Sequence, residues 1–134
     1  MKKIASRIFT MVAVLALAIS CFSITAMAAT TYTDSLIFHG DHKGVTREYT
    51  GTDMHWSGRT YTQYQGANME TTFYVRLYRQ NLIGSSLIGG VSCPRVGYHD
   101  LVWTNVGSGK YYFYYVKAHD NANVVSNAIT MRMT

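Results

Sequence analysis

Apolar and polar residues alternate with a period of two along the chain after residue 33. The clearest case is TTFYVRLYRQ, residues 71–80, in which Phe73, Val75 and Leu77 alternate with polar or amphipathic side chains. This period is typical of a strand with one buried face. After residue 28 no segment keeps apolar residues at helical spacing for three turns, so the pattern predicts an all-β domain. Strands are predicted over residues 34–40, 44–51, 52–64, 71–80, 85–94, 98–106, 110–120 and 124–133.

The segments between these strands are rich in Gly, Asn, Asp and Ser, which tolerate turn conformations. Turns are predicted at residues 40–44, 65–69, 80–84, 107–109 and 120–123. Gly89 and Gly90 within a strand indicate a bulge or a sheet edge. Seven or eight short strands at about ten-residue spacing predict a single antiparallel sandwich or barrel.

Residues 109–127, GKYYFYYVKAHDNANVVSN, contain five consecutive aromatic residues. With Gly109, Tyr112, Val116 and Asp120 taken as the fixed points, the segment resembles the penultimate strand of fibronectin type III and bacterial immunoglobulin-like domains. The resemblance covers roughly 35 residues and implies an immunoglobulin-like β-sandwich of seven to eight strands. It also implies that Tyr112 is the corner tyrosine of those folds, whose hydroxyl bonds back to the backbone.

In this alignment Tyr112, Tyr114, Val116 and Ala118 face inward, and strand 110–119 lies beside strand 71–80. An outward-facing aromatic surface follows, with seven residues: Tyr74, Arg76, Tyr78, Tyr111, Phe113, Tyr115 and Lys117. Two interpretations stay open. The surface is either cross-strand packing that stabilises the sheet or a recognition site, since large exposed aromatic patches are unusual on a monomer.

The first 28 residues have the pattern of a secretory signal peptide. Lys2, Lys3 and Arg7 precede an apolar run that ends in the small-x-small sequence Ala26-Met27-Ala28. We therefore predict a signal peptide over residues 1–28, a β-sandwich domain over residues 29–134, and secretion to the extracellular side, in a bacterium. No later stretch approaches the roughly 20 apolar residues of a membrane span, so stable membrane insertion is not expected.

The charge and cysteine content of the chain limit the classes of partner that are expected. Of twelve Lys and Arg residues three lie in the predicted signal peptide, so the remaining chain carries nine against seven acidic residues. This small excess, without a basic run, argues against a nucleic-acid partner. After the signal peptide Cys93 is the single cysteine, so no internal disulfide is expected. Cys93 is a core residue, an intermolecular disulfide in a homodimer, or a reactive thiol.

Motifs for catalysis are missing from the sequence. No nucleophile elbow, phosphate loop, HExxH or CxxC is present, and no pair of carboxylates is positioned for glycoside hydrolysis. No cofactor and no catalytic residue are therefore predicted. His39, Asp41 and His42 in HGDH have spacing that suits a metal, but we favour a solvated turn in which Asp41 bonds its own backbone, and predict no metal site.

Together these observations predict a secreted, non-catalytic binding protein. Its flat aromatic face, edged by Arg76 and Lys117, suits a polysaccharide or an apolar patch on another protein. Two alternatives remain: a secreted antimicrobial or toxin-like protein that acts on a target cell envelope, and a structural or inhibitory protein whose aromatic patch is a homo-oligomer interface.

Overall fold

The computed structural model describes residues 30–64 and 69–134. The predicted signal peptide lies outside the described residues, as does most of the turn predicted at residues 65–69. The described residues form nine strands: β1 Thr31–Phe38, β2 Asp41–Lys43, β3 Arg47–Tyr49, β4 Met54–Gln63, β5 Thr72–Gln80, β6 Ser85–Pro94, β7 Gly97–Trp103, β8 Gly109–Val116 and β9 Asn123–Met133. A helix able to span a membrane is not found among these residues.

The strands form two antiparallel sheets that pack face to face. One sheet has the order β1-β9-β4-β7, and the other has the order β2-β8-β5-β6 with β3 also paired to β8. The two short strands β2 and β3 occupy one position, because they pair with the two halves of β8. The prediction of an all-β antiparallel sandwich is therefore confirmed. We call the sheet that contains β8 the five-stranded sheet and its partner the four-stranded sheet.

The order of the strands is that of a jelly roll, in which Greek-key connections link two four-position sheets. The chain crosses between the sheets at almost every connection, and among the described residues β5 and β6 are the only consecutive strands that pair with each other. The first strand, β1, pairs with the last, β9. The fold is thus held together by pairings between residues that are far apart in sequence.

The immunoglobulin-like assignment is corrected by this order. In immunoglobulin domains the first two strands pair, and the last two strands share a sheet. Here β1 and β2 lie in different sheets, and so do β8 and β9. The resemblance rested on the residues of β8, β9 and the turn between them, which look alike whether the turn forms a hairpin or crosses between sheets. The expected pairing of residues 110–119 with residues 71–80 does occur, as β8 with β5.

The faces of β8 are the reverse of those predicted. Tyr111, Phe113 and Tyr115 are almost fully buried between the sheets, and Lys117 just beyond the strand is buried as well. Tyr112, Tyr114 and Val116 lie on the outer face of the five-stranded sheet, and Ala118 is exposed. A shift of one residue moves every side chain of a strand to the other face, so the single error of register reversed the predicted faces of all eight residues.

The corner tyrosine of this fold is Tyr111, not Tyr112. Its hydroxyl lies 2.7 Å from the backbone oxygens of both Val106 and Gly107, in the turn that precedes β8. Gly107 has a φ of +73°, a conformation that glycine adopts without steric cost. The bond from the buried ring to this turn fixes where β8 begins.

The core between the sheets is largely aromatic. Trp56 of β4 and Trp103 of β7 are buried on the four-stranded sheet and contact Tyr115 and Phe113 of β8. The indole Nε1 of Trp56 donates a hydrogen bond of 3.0 Å to the hydroxyl of Tyr115. This pairing satisfies two polar groups that would otherwise be costly to bury.

Cys93 lies in this core, with 2% of its surface exposed. Burial raises the pKa of its thiol to about 11, so the reactive thiolate is scarce at neutral pH. Of the three interpretations of this cysteine, the structure supports the core residue.

We predict that Tyr111→Phe lowers the free energy of unfolding by about 1 kcal/mol, the usual value of a hydrogen bond in a protein. The matched control is Tyr112→Phe. It removes a hydroxyl bonded to Ser85 on the outer face, and we expect it to have a smaller effect. Urea unfolding of both variants measures the difference. Equal loss in both, or greater loss in Tyr112→Phe, would contradict the corner role of Tyr111.

We also predict that Cys93 of the native protein reacts with a thiol reagent at pH 8 at least about a hundredfold more slowly than a model thiol, because the thiol is buried and its pKa is raised. In denaturant the rates should become equal. Fast reaction of the native protein, or a disulfide-linked dimer on non-reducing electrophoresis, would show that Cys93 is accessible.

Candidate binding face of the five-stranded sheet

The seven residues predicted for the binding face separate into two groups in the structure. Tyr74, Arg76 and Tyr78 of β5 lie on the outer face of the five-stranded sheet, as the alternation indicates. The other four residues belong to the interior: Tyr111, Phe113, Tyr115 and Lys117. The structure therefore keeps the predicted face and exchanges the residues that β8 contributes to it.

Tyr112 and Tyr114 take the places of the excluded residues on the outer face. Tyr112 lies directly opposite Tyr78 in the pairing of β8 with β5, and Tyr114 lies opposite Arg76. We use the name tyrosine face for the surface formed by six residues: Lys43, Tyr74, Arg76, Tyr78, Tyr112 and Tyr114. Lys43 of β2 is the member that the sequence analysis did not consider, since residues 40–44 were predicted as a turn.

The tyrosine rings are arranged as a stack across the sheet. Tyr78 and Tyr112 are nearly parallel, at 3° and with ring centroids 5.2 Å apart. The ammonium of Lys43 lies 4.2 Å from the centroid of Tyr112, and Tyr114 meets Tyr78 edge to face. Contacts of these kinds contribute about 0.5–1.5 kcal/mol each. They hold three of the four rings in fixed positions before any ligand arrives.

Two hydroxyls of the stack are also fixed by neighbours. The hydroxyl of Tyr112 is 2.8 Å from Oγ of Ser85, and the hydroxyl of Tyr114 donates to the carboxylate of Asp41. The hydrogen bond to Asp41 raises the pKa of Tyr114 above its ordinary value, which keeps the phenol protonated. Tyr74 takes no part in the stack, and 47% of its surface is exposed.

A groove lies beside Tyr74 at one end of this face. Its volume is about 400 Å³, and it is lined by residues of β5, the end of β8 and the segment before β5. Tyr74 and Arg76 form one part of the wall, and Glu70 and Val116 form another. Tyr74, Arg76 and Glu70 thus border one open space, and residues of these types offer packing area together with hydrogen-bond donors and acceptors.

Lys117 has a structural role in place of the predicted role at the edge of a site. Its Nζ lies 2.9 Å from Oδ1 of Asp120, and Nη1 of Arg95 lies 2.7 Å from Oδ2 of the same carboxylate. The side chains of Arg95 and Lys117 are almost fully buried. This cluster of two cations and one carboxylate joins the β6–β7 corner to the β8–β9 crossing.

The charge of the cluster shifts the carboxyl pKa. Burial by itself raises the pKa of Asp120, but the hydrogen bonds and positive charges of Lys117 and Arg95 outweigh it and hold this pKa well below its usual range. The stabilisation that this pairing gives is therefore complete above the ordinary carboxyl pKa near 4 and is lost as the pH falls through the lowered value.

The three candidate metal ligands in HGDH, which are His39, Asp41 and His42, contact different partners. His39 contacts Oδ1 of Asn123, Asp41 accepts the hydrogen bond of Tyr114, and the ring of His42 stacks on Tyr115. Asp41–Lys43 is the strand β2, so the predicted turn, with Asp41 bonded to its own backbone, is wrong. Among the residues that the structure describes, no three His, Cys, Asp or Glu side chains are grouped to hold a metal ion.

Comparisons of this chain with known proteins show only distant similarity. No protein-family model matches the sequence, and no curated protein matches it. A solved structure titled "Crystal structure of infectious bursal disease virus VP2 subviral particle" aligns with a TM-score of 0.46 and 9% identity over 80% of this chain. The chain spans 33% of that capsid chain. A second, titled "Bacillus endospore appendages form a novel family of disulfide-linked pili", aligns with a TM-score of 0.36 and 11% identity, over 79% of this chain and 89% of the other.

We predict that Asp120→Asn destabilises the protein at pH 7 by about 3–5 kcal/mol, because it leaves two buried cations without their carboxylate. The difference from the unaltered protein should shrink as the pH falls below about 4. Asp100→Asn, on an exposed position of β7, is the control and should change stability by less than about 0.5 kcal/mol. Urea unfolding between pH 7 and pH 3 measures both. A loss in Asp120→Asn that is small at neutral pH would contradict the role of the cluster.

Proposed function

We propose that this protein is a secreted, non-catalytic binding protein that holds a polysaccharide on the tyrosine face. The observation that carries the proposal is the concentration of four tyrosines on the outer face of one sheet, next to an open groove lined by Tyr74, Arg76 and Glu70. Tyr112 is covered by its neighbours in the stack and is 7% exposed, whereas Tyr74 is 47% exposed and leaves an aromatic ring open to solvent beside the groove.

The chemistry of the face suits a carbohydrate. A sugar ring presents C–H bonds on its flat sides and hydroxyls around its rim. The exposed ring of Tyr74 offers an apolar surface for the flat side, and the guanidinium of Arg76 and the carboxylate of Glu70 offer partners for the hydroxyls. The groove volume of about 400 Å³ lies within the range of about 300–1,000 Å³ usual for ligand sites.

The fixed stack of Tyr78, Tyr112 and Tyr114 supports the same proposal. Side chains that are ordered before binding lose little conformational entropy when the ligand arrives. The stack also extends the groove sideways across β5 and β8, which gives an elongated surface suited to a chain of sugars. A protein ligand is the second candidate for this face, and the exposed Tyr74 beside Arg76 favours it in part, since Tyr and Arg are enriched where proteins bind each other.

The test is a titration of residues 29–134 with soluble polysaccharides and cell-wall fragments, followed by tyrosine and tryptophan fluorescence. We predict that Tyr74→Ser weakens binding by about 2 kcal/mol, or roughly thirtyfold, and leaves the melting temperature nearly unchanged because its side chain is half exposed. Tyr98→Ser is the matched control, since Tyr98 is an exposed tyrosine on the other sheet, and it should bind as the unaltered protein does.

Binding that survives in Tyr74→Ser, or that falls equally in Tyr98→Ser, would show that the tyrosine face is not the site. Binding to cell-wall preparations that is abolished by protease treatment of those preparations, and unaffected by enzymes that degrade carbohydrate, would replace the polysaccharide with a protein ligand. Absence of binding to either fraction, with a loss of stability in Tyr74→Ser, would make the face a packing feature alone.

A further inference from the structure

The free edge of β6 differs from the other edges of the sandwich. β6 is the last strand of the five-stranded sheet and pairs with β5 alone among the described residues. Its ten residues are mostly exposed. The sequence carries no charged residue from Gln80 through Pro94, a stretch that includes the hairpin tip and the whole strand.

The remaining edges have features that prevent pairing with another chain. β2 and β3 are three residues each and carry charged side chains. β1 contains Asp34 and a shift of register between Asp34 and Leu36, and β7 contains the exposed Asp100. β6 has a shift as well, at Ile88, and ends in Pro94, but its pairs from Gly89 to Cys93 are regular and leave an uncharged segment of sheet edge.

Exposed aliphatic residues lie at both ends of β6. The turn between β5 and β6 carries Leu82 and Ile83, which are 103% and 92% exposed, and Leu87 follows at 55%. At the opposite end of the strand, Val96 is 63% exposed. These side chains contribute little to the core, and they place exposed apolar surface near both ends of the free edge.

We propose that β6 is a self-association edge at which two copies of this chain pair antiparallel about a two-fold axis. Antiparallel pairing runs the Val96 end of one copy along the hairpin end of the other, so the exposed aliphatic residues at the two ends cover each other. The uncharged strand meets no like-charge repulsion when it pairs with itself, and a two-fold interface closes on itself without further growth.

The dimer joins two five-stranded sheets into one continuous sheet with a tyrosine face in each half. If the proposed function holds, this arrangement gives a polymer two attachment points, and the second contact forms at a high effective concentration. A single paired strand buries less than the roughly 800 Å² per partner of a standard interface. The dimer is therefore weak, and its population depends on protein concentration.

The experiment is sedimentation velocity of residues 29–134 between about 10 μM and about 1 mM, a range chosen for an interface of this size. The unaltered protein should shift from monomer to dimer across the series. Ile83→Lys and Val96→Lys, called the β6 variants, place a charge among the exposed aliphatic residues at the two ends of β6 and should weaken the dimer more than about tenfold. Val102→Lys, at an exposed position on the edge strand β7, is the matched control and should leave the dimer unchanged.

Circular dichroism melts of each variant show that the lysine is tolerated by the monomer. A monomer at all concentrations for the unaltered protein overturns the proposal, and so does a dimer that persists in both β6 variants. Loss of the dimer in Tyr74→Ser, with β6 variants unaffected, places the interface on the tyrosine face and overturns it as well.

A separate measurement distinguishes this inference from the proposed function. Val96→Lys, which lies outside the tyrosine face and its groove, should bind a short oligosaccharide as the unaltered protein does, and should bind a long polysaccharide more weakly, because it has lost the second attachment point. Failure of all binding with an intact dimer contradicts the proposed function alone. Equal binding of the long polymer by both proteins contradicts the role of the dimer in binding.

Discussion

Three aromatic side chains of β8, those of Tyr111, Phe113 and Tyr115, fill the space between the two sheets, and the sandwich depends on their packing. Phe113 reaches Trp103 and Tyr115 reaches Trp56 on the opposite sheet, so a single central strand connects both layers. The hydroxyl of Tyr111 donates to the turn before β8, and the hydroxyl of Tyr115 accepts a hydrogen bond from the indole of Trp56. Burial supplies most of the stabilisation, and the bonded hydroxyls fix the position of the strand along its own axis.

The outer aromatic residues follow from this constraint. Once the odd-numbered positions of β8 face the core, Tyr112 and Tyr114 must lie on the outer face of the sheet, where they meet Tyr78 and Arg76 of the neighbouring strand. The two faces of β8 are aromatic for different reasons. The inner rings fill volume, whereas the outer rings stack on each other and on Lys43 and leave Tyr74 open beside the groove. This division between a packed face and an available face is the structural basis of the proposed binding function.

Much of the fold could be predicted from the sequence, and the errors have physical causes. The alternation in residues 71–80 gave the correct faces of β5, because its two series differ strongly in polarity. In β8 all five residues from Tyr111 to Tyr115 are aromatic, so alternation cannot decide which face is buried. The one signal available for choosing the buried face was Phe113, since it alone among these five residues lacks a hydroxyl. The jelly-roll order depends on pairings such as β1 with β9 that no local pattern encodes. Lys43 was missed because a three-residue strand resembles a turn.

The pairing of the first strand with the last has a consequence for how the chain acquires its structure. Neither sheet can be completed before β8 and β9 have been synthesised, and β5–β6 is the one long hairpin that can form early. Folds dominated by such distant pairings fold slowly, because the entropy of closing long loops is spent before the contacts form. A growing chain of this topology therefore cannot close the core between its sheets until β8 and β9 have been added.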